Sequence, residues 1–279
     1  MEPTAHPIPV NLRELKAARS GAEAIAEALH RGGLQADAKQ ASHDLVTSAE
    51  HASEHAVLQV LRSARPDDAV LGEETGEHPG TTGLRWLVDP LDGTASFIYG
   101  RAGWSVSVGA EIDGQPTVGA VVCPADCRWG AADPGGVDAG GYDPQPGLVS
   151  VPRPPRYRRD EQSTVPASAA LVSMGQPYPL QSRAEVLRVA AALVPRPRAT
   201  RMTGAAASEL LGLAGGECDA FLGFGLSPWD TTAGAAIVHA CGGTTQSVRS
   251  PIGIDVLIAA MSRELGEELA RWVAETGPG

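Results

Sequence analysis

An apolar strand that runs straight into two acids is the feature that most restricts how this chain can fold. Trp86, Leu87 and Val88 read as a buried strand, and the next residues are Asp89, Pro90, Leu91, Asp92, Gly93 and Thr94. A carboxylate delivered by a core strand must find hydrogen-bond donors or a cation, because an isolated buried charge is very costly. Pro90 fixes the backbone and is expected to end strand pairing. Asp92 follows Asp89 closely enough for a turn to aim both carboxylates into one site. Gly93 lets the backbone approach a ligand, and Thr94 offers a hydroxyl. Successive N–H groups in such a turn can cradle a phosphate oxygen.

Two further acidic segments stand apart in the chain. Gly72-Glu73-Glu74 closes a short apolar strand at Ala69–Gly72, and Asp230 follows Pro228 and Trp229. Ser227 is a helix cap and Pro228 a first helical residue, so Asp230 falls in the first turn, where the helix dipole favours an anion. Singly, these segments read as a turn, a solvated face and a helix N-terminal acid. Gathered in one place, they would repel and raise one another's pKa. The arrangement makes sense if hard divalent cations sit among them. The candidate ligands are all oxygen, with no His or Cys in the motifs, so Mg²⁺ is favoured over zinc.

The charge balance agrees with a small ligand brought in with cations. The 279 residues carry 22 Lys and Arg against 33 Asp and Glu, a net charge of -11. Such a chain repels nucleic acid and anionic membranes, so neither is expected as a partner. Arg153, Arg156, Arg158 and Arg159 form a basic cluster, read as solvated surface or as an anion attractor. There is no apolar run long enough for a transmembrane helix. Met1–Val10 has no basic segment followed by an apolar one, so a cytoplasmic protein is expected. Cys123, Cys127, Cys218 and Cys241 form no C-x-x-C pair and are expected to be buried free thiols.

The periodicity predicts a helix from an Asn11 cap to Gly32-Gly33, and a second from Thr47 to about Pro66. Thr47 and Glu50 have capping-box spacing. A meander follows, with strands at Trp104–Ile112, Val118–Cys123 and Trp129–Ala132, the first two joined by an Asp113-Gly114 turn. Asp133–Pro166 is Gly- and Pro-rich and reads as a loop. Strands at Ala169–Ser173, Asp219–Leu222 and Val256–Ala260 then alternate with helices at Arg183–Leu193, Gly204–Leu213, Trp229–Ala240 and Ser262–Glu275. That alternation predicts a layered α/β architecture.

With these motifs in view, the sequence resembles the inositol monophosphatase family. The resemblance rests on Asp89-Pro90-Leu91-Asp92-Gly93-Thr94 with Phe97, on Gly72-Glu73-Glu74, and on Trp229-Asp230 with Ala233-Gly234. Asp44-Leu45-Val46-Thr47, Gly204-Ala205-Ala206 and Ala240-Cys241-Gly242-Gly243 add to it, so that it spans about Lys39 to Met261. It implies a five-layer α/β/α/β/α sandwich in one phosphatase domain, commonly a homodimer. The N-terminal lobe would cover about 1–140, a connection about 141–166 and the C-terminal lobe about 167–279.

The resemblance also implies roles. Glu73, Asp89 and the Leu91 carbonyl would hold a first Mg²⁺, and Asp89, Asp92 and Asp230 a second, with two or three ions in all. Gly93 and Thr94 would bind the phosphate, while Ala206 and Asp230 would lie against the substrate. Glu73, Thr94, Asp92 and Glu50 would be the catalytic set, hydrolysing a small phosphate monoester with metal-activated water. Glu50 stands where the family usually has Asp, and its second reading is a helix cap. Lys39 reads equally as a solvated lysine or as a lysine near the metal loop. Gly223 stands where inositol-specific members carry a Glu that holds a ring hydroxyl. The substrate classes are therefore inositol, sugar, cyclitol or amino-alcohol phosphates, with histidinol phosphate or a biosynthetic aminocyclitol phosphate as alternatives. A different class of function is a non-catalytic, metal-dependent binder of a phosphorylated ligand.

Overall fold

The structure, a computed structural model, describes residues 13–30, 36–38, 45–141, 165–175 and 180–276. Asn11, Gly32, Gly33, Lys39, Asp44 and the cluster from Arg153 to Arg159 lie outside the described residues.

The chain begins with α1 (Arg13–His30), β1 (Ala36–Ala38), β2 (Leu45–Thr47) and α2 (Ser48–Ala64). It continues through β3 (Ala69–Gly72), β4 (Gly76–His78), β5 (Leu84–Asp92) and the short α3 (Thr94–Ile98). The meander is β6 (Ser105–Ile112), β7 (Gln115–Cys123), β8 (Arg128–Asp133) and β9 (Gly136–Gly141). Then come β10 (Leu171–Gly175), α4 (Leu180–Leu193), β11 (Ala199–Arg201), α5 (Ala206–Ala214) and β12 (Ala220–Phe224). The last elements are α6 (Pro228–Ala240), β13 (Thr244–Arg249), β14 (Asp255–Ala260) and α7 (Arg263–Ala274).

Among the described residues, β4-β3-β5-β6-β7-β8-β9 form a seven-stranded sheet and β11-β10-β12-β14-β13 a five-stranded one. Helices α1 and α2 cover the outer face of the large sheet. α5 and α6 lie between the two sheets, and α4 and α7 close the far side. This is the five-layer α/β sandwich. α6 is buried along its whole run from Thr232 to Val238, as a helix between two sheets must be. α7 is amphipathic instead: Leu265, Leu269 and Val273 recur every fourth residue and face the core. Ser262 caps it by accepting the Leu265 N–H at 3.2 Å.

Burial explains the meander. Val106, Val108 and Ala110 of β6 face the core under α1 and α2. The intervening Gly109 and Gly119 of β7 face α6, and a Cβ on Gly119 would stand 2.1 Å from the Ala233 carbonyl oxygen. The helix carrying Asp230 can therefore lie directly on the sheet. Asp113 and Gly114 both have positive φ, 52° and 73°, as a two-residue hairpin turn of this hand requires.

Several boundaries differ from the sequence reading. β5 does not stop at Pro90: it resumes pairing at Asp92 after a bulge, because Asp92 finds Ser105 as its partner on β6. β9 lies inside the stretch read as loop. Its glycines have weak strand preference, and the ladder with β8 supplies the pairing. β13 pairs along the edge of the small sheet through a polar sequence without a clear apolar alternation. The strand expected at Ala169–Ser173 begins at Leu171, after a 3₁₀ turn at Ala167–Ala169. All four cysteines are free, but only Cys123 is buried as expected: Cys218 and Cys241 are half-buried and Cys127 is exposed. No helix among the described residues is long and apolar enough to cross a membrane.

Gly119→Ala should place a methyl against the α6 backbone and destabilise the protein by about 1–3 kcal/mol, as overpacking does. Urea denaturation measures this, and unchanged stability would contradict the close approach of α6 to the sheet.

Candidate active site

β3 and β5 are parallel, with Gly72 beside Val88. Their C-terminal ends therefore release Glu73 and Asp89 at the same edge of the sheet, and the Glu73 N–H bonds to the Val88 carbonyl at 3.1 Å. The bulge in β5 then sets the direction of the next acid. Asp89 is opposite Ser107 and Asp92 opposite Ser105. Ser105 and Ser107 point to one face, as alternate strand residues must. Three steps along β5 would otherwise turn Asp92 to the opposite face from Asp89. The extra residue restores the parity, and both carboxylates face the middle helices.

Those helices bring the remaining parts. Asp230 sits in the first turn of α6, and its Oδ2 accepts the Ser227 N–H at 2.8 Å, closing a capping box. Ser107 Oγ donates to the Trp229 carbonyl at 3.4 Å and ties that helix start to β6. α5 begins with no side-chain cap of its own. Instead Asp92 Oδ2 accepts the Ala207 N–H at 2.7 Å, with Ser105 Oγ 3.3 Å away. Ala206, expected at the substrate, is the first residue of α5, and its N–H is also directed at Asp92.

The acids lie close enough to act on one another electrostatically. Burial pushes Asp89 well up, and the charges of Glu73, Asp92 and Asp230 push it further, against the Leu91 N–H that bonds to its Oδ1 at 2.9 Å. Asp92 is raised by burial and then by Asp230, and the α5 N–H groups oppose this. Asp230 is raised to about 7, mainly by burial, with Glu73 adding. The Ser227 N–H and a hydrogen bond with Asp89 hold it from going higher.

The donor set, carboxylates and the buried Leu91 backbone, suits a hard cation, and the repulsion within the set is what a cation would relieve. Among the described residues, no three acidic, His or Cys side chains already converge on one point. The physical reason is visible. Asp89, Asp92 and Asp230 each direct an oxygen to a backbone N–H, which like-charged groups do when they can.

Gly93 has φ 88°, and a Cβ there would stand 2.7 Å from the Gly103 carbonyl oxygen, so both its conformation and its space require glycine. It precedes α3, where Phe97 meets Trp104 edge to face at 5.1 Å. Thr94 Oγ1 lies 2.7 Å from Glu50 Oε1 and 3.2 Å from the Leu91 carbonyl, donating toward both. Glu50, in the first turn of α2, thus reaches the Thr94 hydroxyl despite its extra methylene. Gly223 in β12 sits beside Gly175 of β10. A Cβ on Gly223 would stand 2.6 Å from Leu226 Cδ1 and 2.9 Å from Phe221 Cε1, so hydrocarbon occupies the space a side chain would enter.

Ser53, Glu54, Ser105 and Ser107 belong to none of the sequence motifs, yet all four are buried and polar. Ser53 donates to the Pro90 carbonyl at 2.8 Å, and Glu54 accepts the N–H groups of Glu74 and Thr75, each at 2.9 Å. The signal was present: residues 50, 53 and 54 continue the buried stripe of Val57, Leu58 and Leu61.

The inositol monophosphatase family model matches residues 9–275. Inositol-1-monophosphatase of Mycobacterium leprae is 30% identical, covering 85% of this chain and 81% of its own length. Nus factor SuhB of Salmonella typhimurium is 28% identical over 92% of this chain and 97% of its own. The solved structure of the extragenic suppressor protein suhB from Bartonella henselae superposes with a TM-score of 0.73 at 26% identity, covering 94% of this chain and 96% of that one. The fold is the layered α/β sandwich of that solved relative. The chain belongs to the inositol monophosphatase family.

In the unfolded chain these aspartates titrate near 3.8, whereas in the fold Asp230 titrates at about 7. Between those values the folded protein binds more protons than the unfolded, so in chelator its stability falls as pH rises through that window. Asp89→Asn should therefore melt higher than wild type in chelator at about pH 8, by roughly 2–4 °C for each kcal/mol of repulsion relieved. The gain should shrink toward zero near pH 4. Thermal unfolding at both pH values checks this, and an equal shift at both would contradict it.

Proposed function

We propose that this protein is a Mg²⁺-dependent phosphatase of a small phosphate monoester. The observation that carries the reading is that Glu73, Asp89, Asp92 and Asp230 gather at one corner, with Asp89 and Asp92 both raised by burial and by the charges of Glu73 and Asp230. Such a set is retained as anions only where cations balance it. Glu73, Asp89 and the Leu91 carbonyl would hold one ion, and Asp89, Asp92 and Asp230 a second. When bound, Mg²⁺ supplies the charge that offsets acids and phosphate together and lowers the pKa of water.

The chain's own groups supply position. Thr94 donates its hydroxyl hydrogen bond to Glu50, which leaves the oxygen lone pairs free to accept. Thr94 and Glu73 can then orient an attacking water in line with phosphorus, with Glu50 behind Thr94 as the acceptor that fixes it. The Gly93 and Thr94 N–H groups can hold phosphate oxygens. The Ala206 N–H is directed at Asp92, so toward the substrate this residue has only its methyl to offer. Asp230 would meet the leaving alcohol. No side-chain nucleophile is needed, because positioning and electrostatics carry phosphoryl transfer.

The hydrocarbon beside Gly223 supports an alcohol other than myo-inositol, since no carboxylate stands there to hold a ring hydroxyl. Cyclitol, sugar and amino-alcohol phosphates, including histidinol phosphate, are the candidates. The Nus factor name of the Salmonella relative favours a second reading, a binding role without turnover. The full acid set supports the enzyme, because a binder would have no need of Thr94 fixed by Glu50.

A phosphate-release screen with Mg²⁺ over these monoesters tests the proposal. Turnover of at least one is expected, and Asp92→Asn should lower it by more than the roughly 10–100-fold that loss of a supporting group gives. Metal-dependent ligand binding in calorimetry with no phosphate released from any substrate would favour the binding role. Mg²⁺ should also raise the melting temperature more at about pH 8 than at about pH 5, because protons compete for the same carboxylates.

A further inference from the structure

Glu54 is almost fully buried, at 1% exposure, yet the chemistry described above makes no use of it. A buried carboxylate persists only where donors satisfy it. Its donors are the backbone N–H groups of Glu74 and Thr75, each at 2.9 Å, and the Thr75 hydroxyl. Both N–H groups belong to the residues immediately after Glu73. On the other side, a Cβ at Gly72 would stand 2.3 Å from Glu54 Oε1, so the carboxylate is seated against the residue immediately before Glu73 as well. Glu73 is thus bracketed by contacts to one side chain.

The rest of the same helix face repeats the pattern. Ser53 holds the Pro90 carbonyl, between Asp89 and Leu91, and Glu50 holds the Thr94 hydroxyl. Residues 50, 53 and 54 lie together on one face of α2, as the helical repeat requires. They reach both acidic segments that the large sheet releases, the turn after β3 and the run from β5 into α3.

From this juxtaposition we infer that Glu54 is a positioning residue for the cation site: it fixes the 72–75 backbone so that Glu73 faces Asp89. The inference rests on the reading of the acidic corner as a cation site. Loss of Glu54 acts on affinity for the ion through backbone placement, as groups behind metal ligands commonly do. Asp68 provides the contrast. It is another buried acid, at the opposite end of β3, and it binds Arg65, Thr82 and the Trp86 indole without touching the 72–75 segment.

The test is Mn²⁺ binding followed by the electron paramagnetic resonance signal of the free ion, with thermal unfolding in chelator measured alongside. Glu54→Gln keeps the length but presents an NH₂ where an acceptor is needed, and should weaken Mn²⁺ binding by about 10–100-fold. Thr75→Val removes only the hydroxyl donor and should weaken it by about 2–5-fold. Asp68→Asn should lower the melting temperature and leave Mn²⁺ affinity at the wild-type value. Wild-type affinity in folded Glu54→Gln overturns the inference, as does a loss of affinity in Asp68→Asn equal to that in Glu54→Gln. If Glu54→Gln yields no folded protein, Thr75→Val decides, and unchanged affinity there overturns the inference. Absence of Mn²⁺ binding by the wild type removes the cation-site reading itself, and with it the role of Glu54.

Discussion

Repulsion among Glu73, Asp89, Asp92 and Asp230 is the interaction around which the rest of the molecule is arranged. Burial raises each of the three aspartates and the Glu73 charge adds to it, while a hydrogen bond with Asp89 lowers Asp230. Left alone, such a corner would drive its segments apart. It is held because the surrounding elements aim donors at it: the Leu91 N–H at Asp89, the α5 start at Asp92, and the α6 cap at Asp230. Both middle helices therefore begin at the acids, and their dipoles favour negative charge at that point.

The layers follow from the same requirement. α6 must lie close to the large sheet to bring Asp230 near Asp89, and the glycines of β6 and β7 permit it. The opposite face of the sheet carries α2, whose buried polar residues grip the turn after β3 and the bulge in β5. The corner is thus held from both faces of one sheet, with apolar cores above and below it. Charge lies where the strands end, so the core loses no packing to it.

Much of this was legible in the sequence. Asp89, Asp92, Glu73 and Asp230 could be picked out because acids at the ends of apolar strands and in a capped first helical turn have few ordinary explanations together. The α6 start was legible in full, since Ser227, Pro228 and Asp230 act on neighbours in the chain. Glu54 and Ser53 were not legible as holders of the loops, because their partners are about 20 and 37 residues away and only packing brings them together. β9 and β13 were missed because their pairing comes from neighbouring strands, against weak local preference.

The sequence by itself determined which acids exist, that they end strands or open a helix, and that hard cations suit them. Those are local facts, set by residue type and by the spacing of near neighbours. Only the tertiary structure decided that Asp89 and Asp92 face one way, because that direction depends on a bulge whose register is set by Ser105 and Ser107 of another strand. It alone decided that Asp92 caps α5, that Glu50 reaches Thr94, and that hydrocarbon fills the space beside Gly223. Each of these is a contact between segments far apart in the chain, and such contacts are fixed by how layers pack rather than by what a residue's neighbours in sequence prefer.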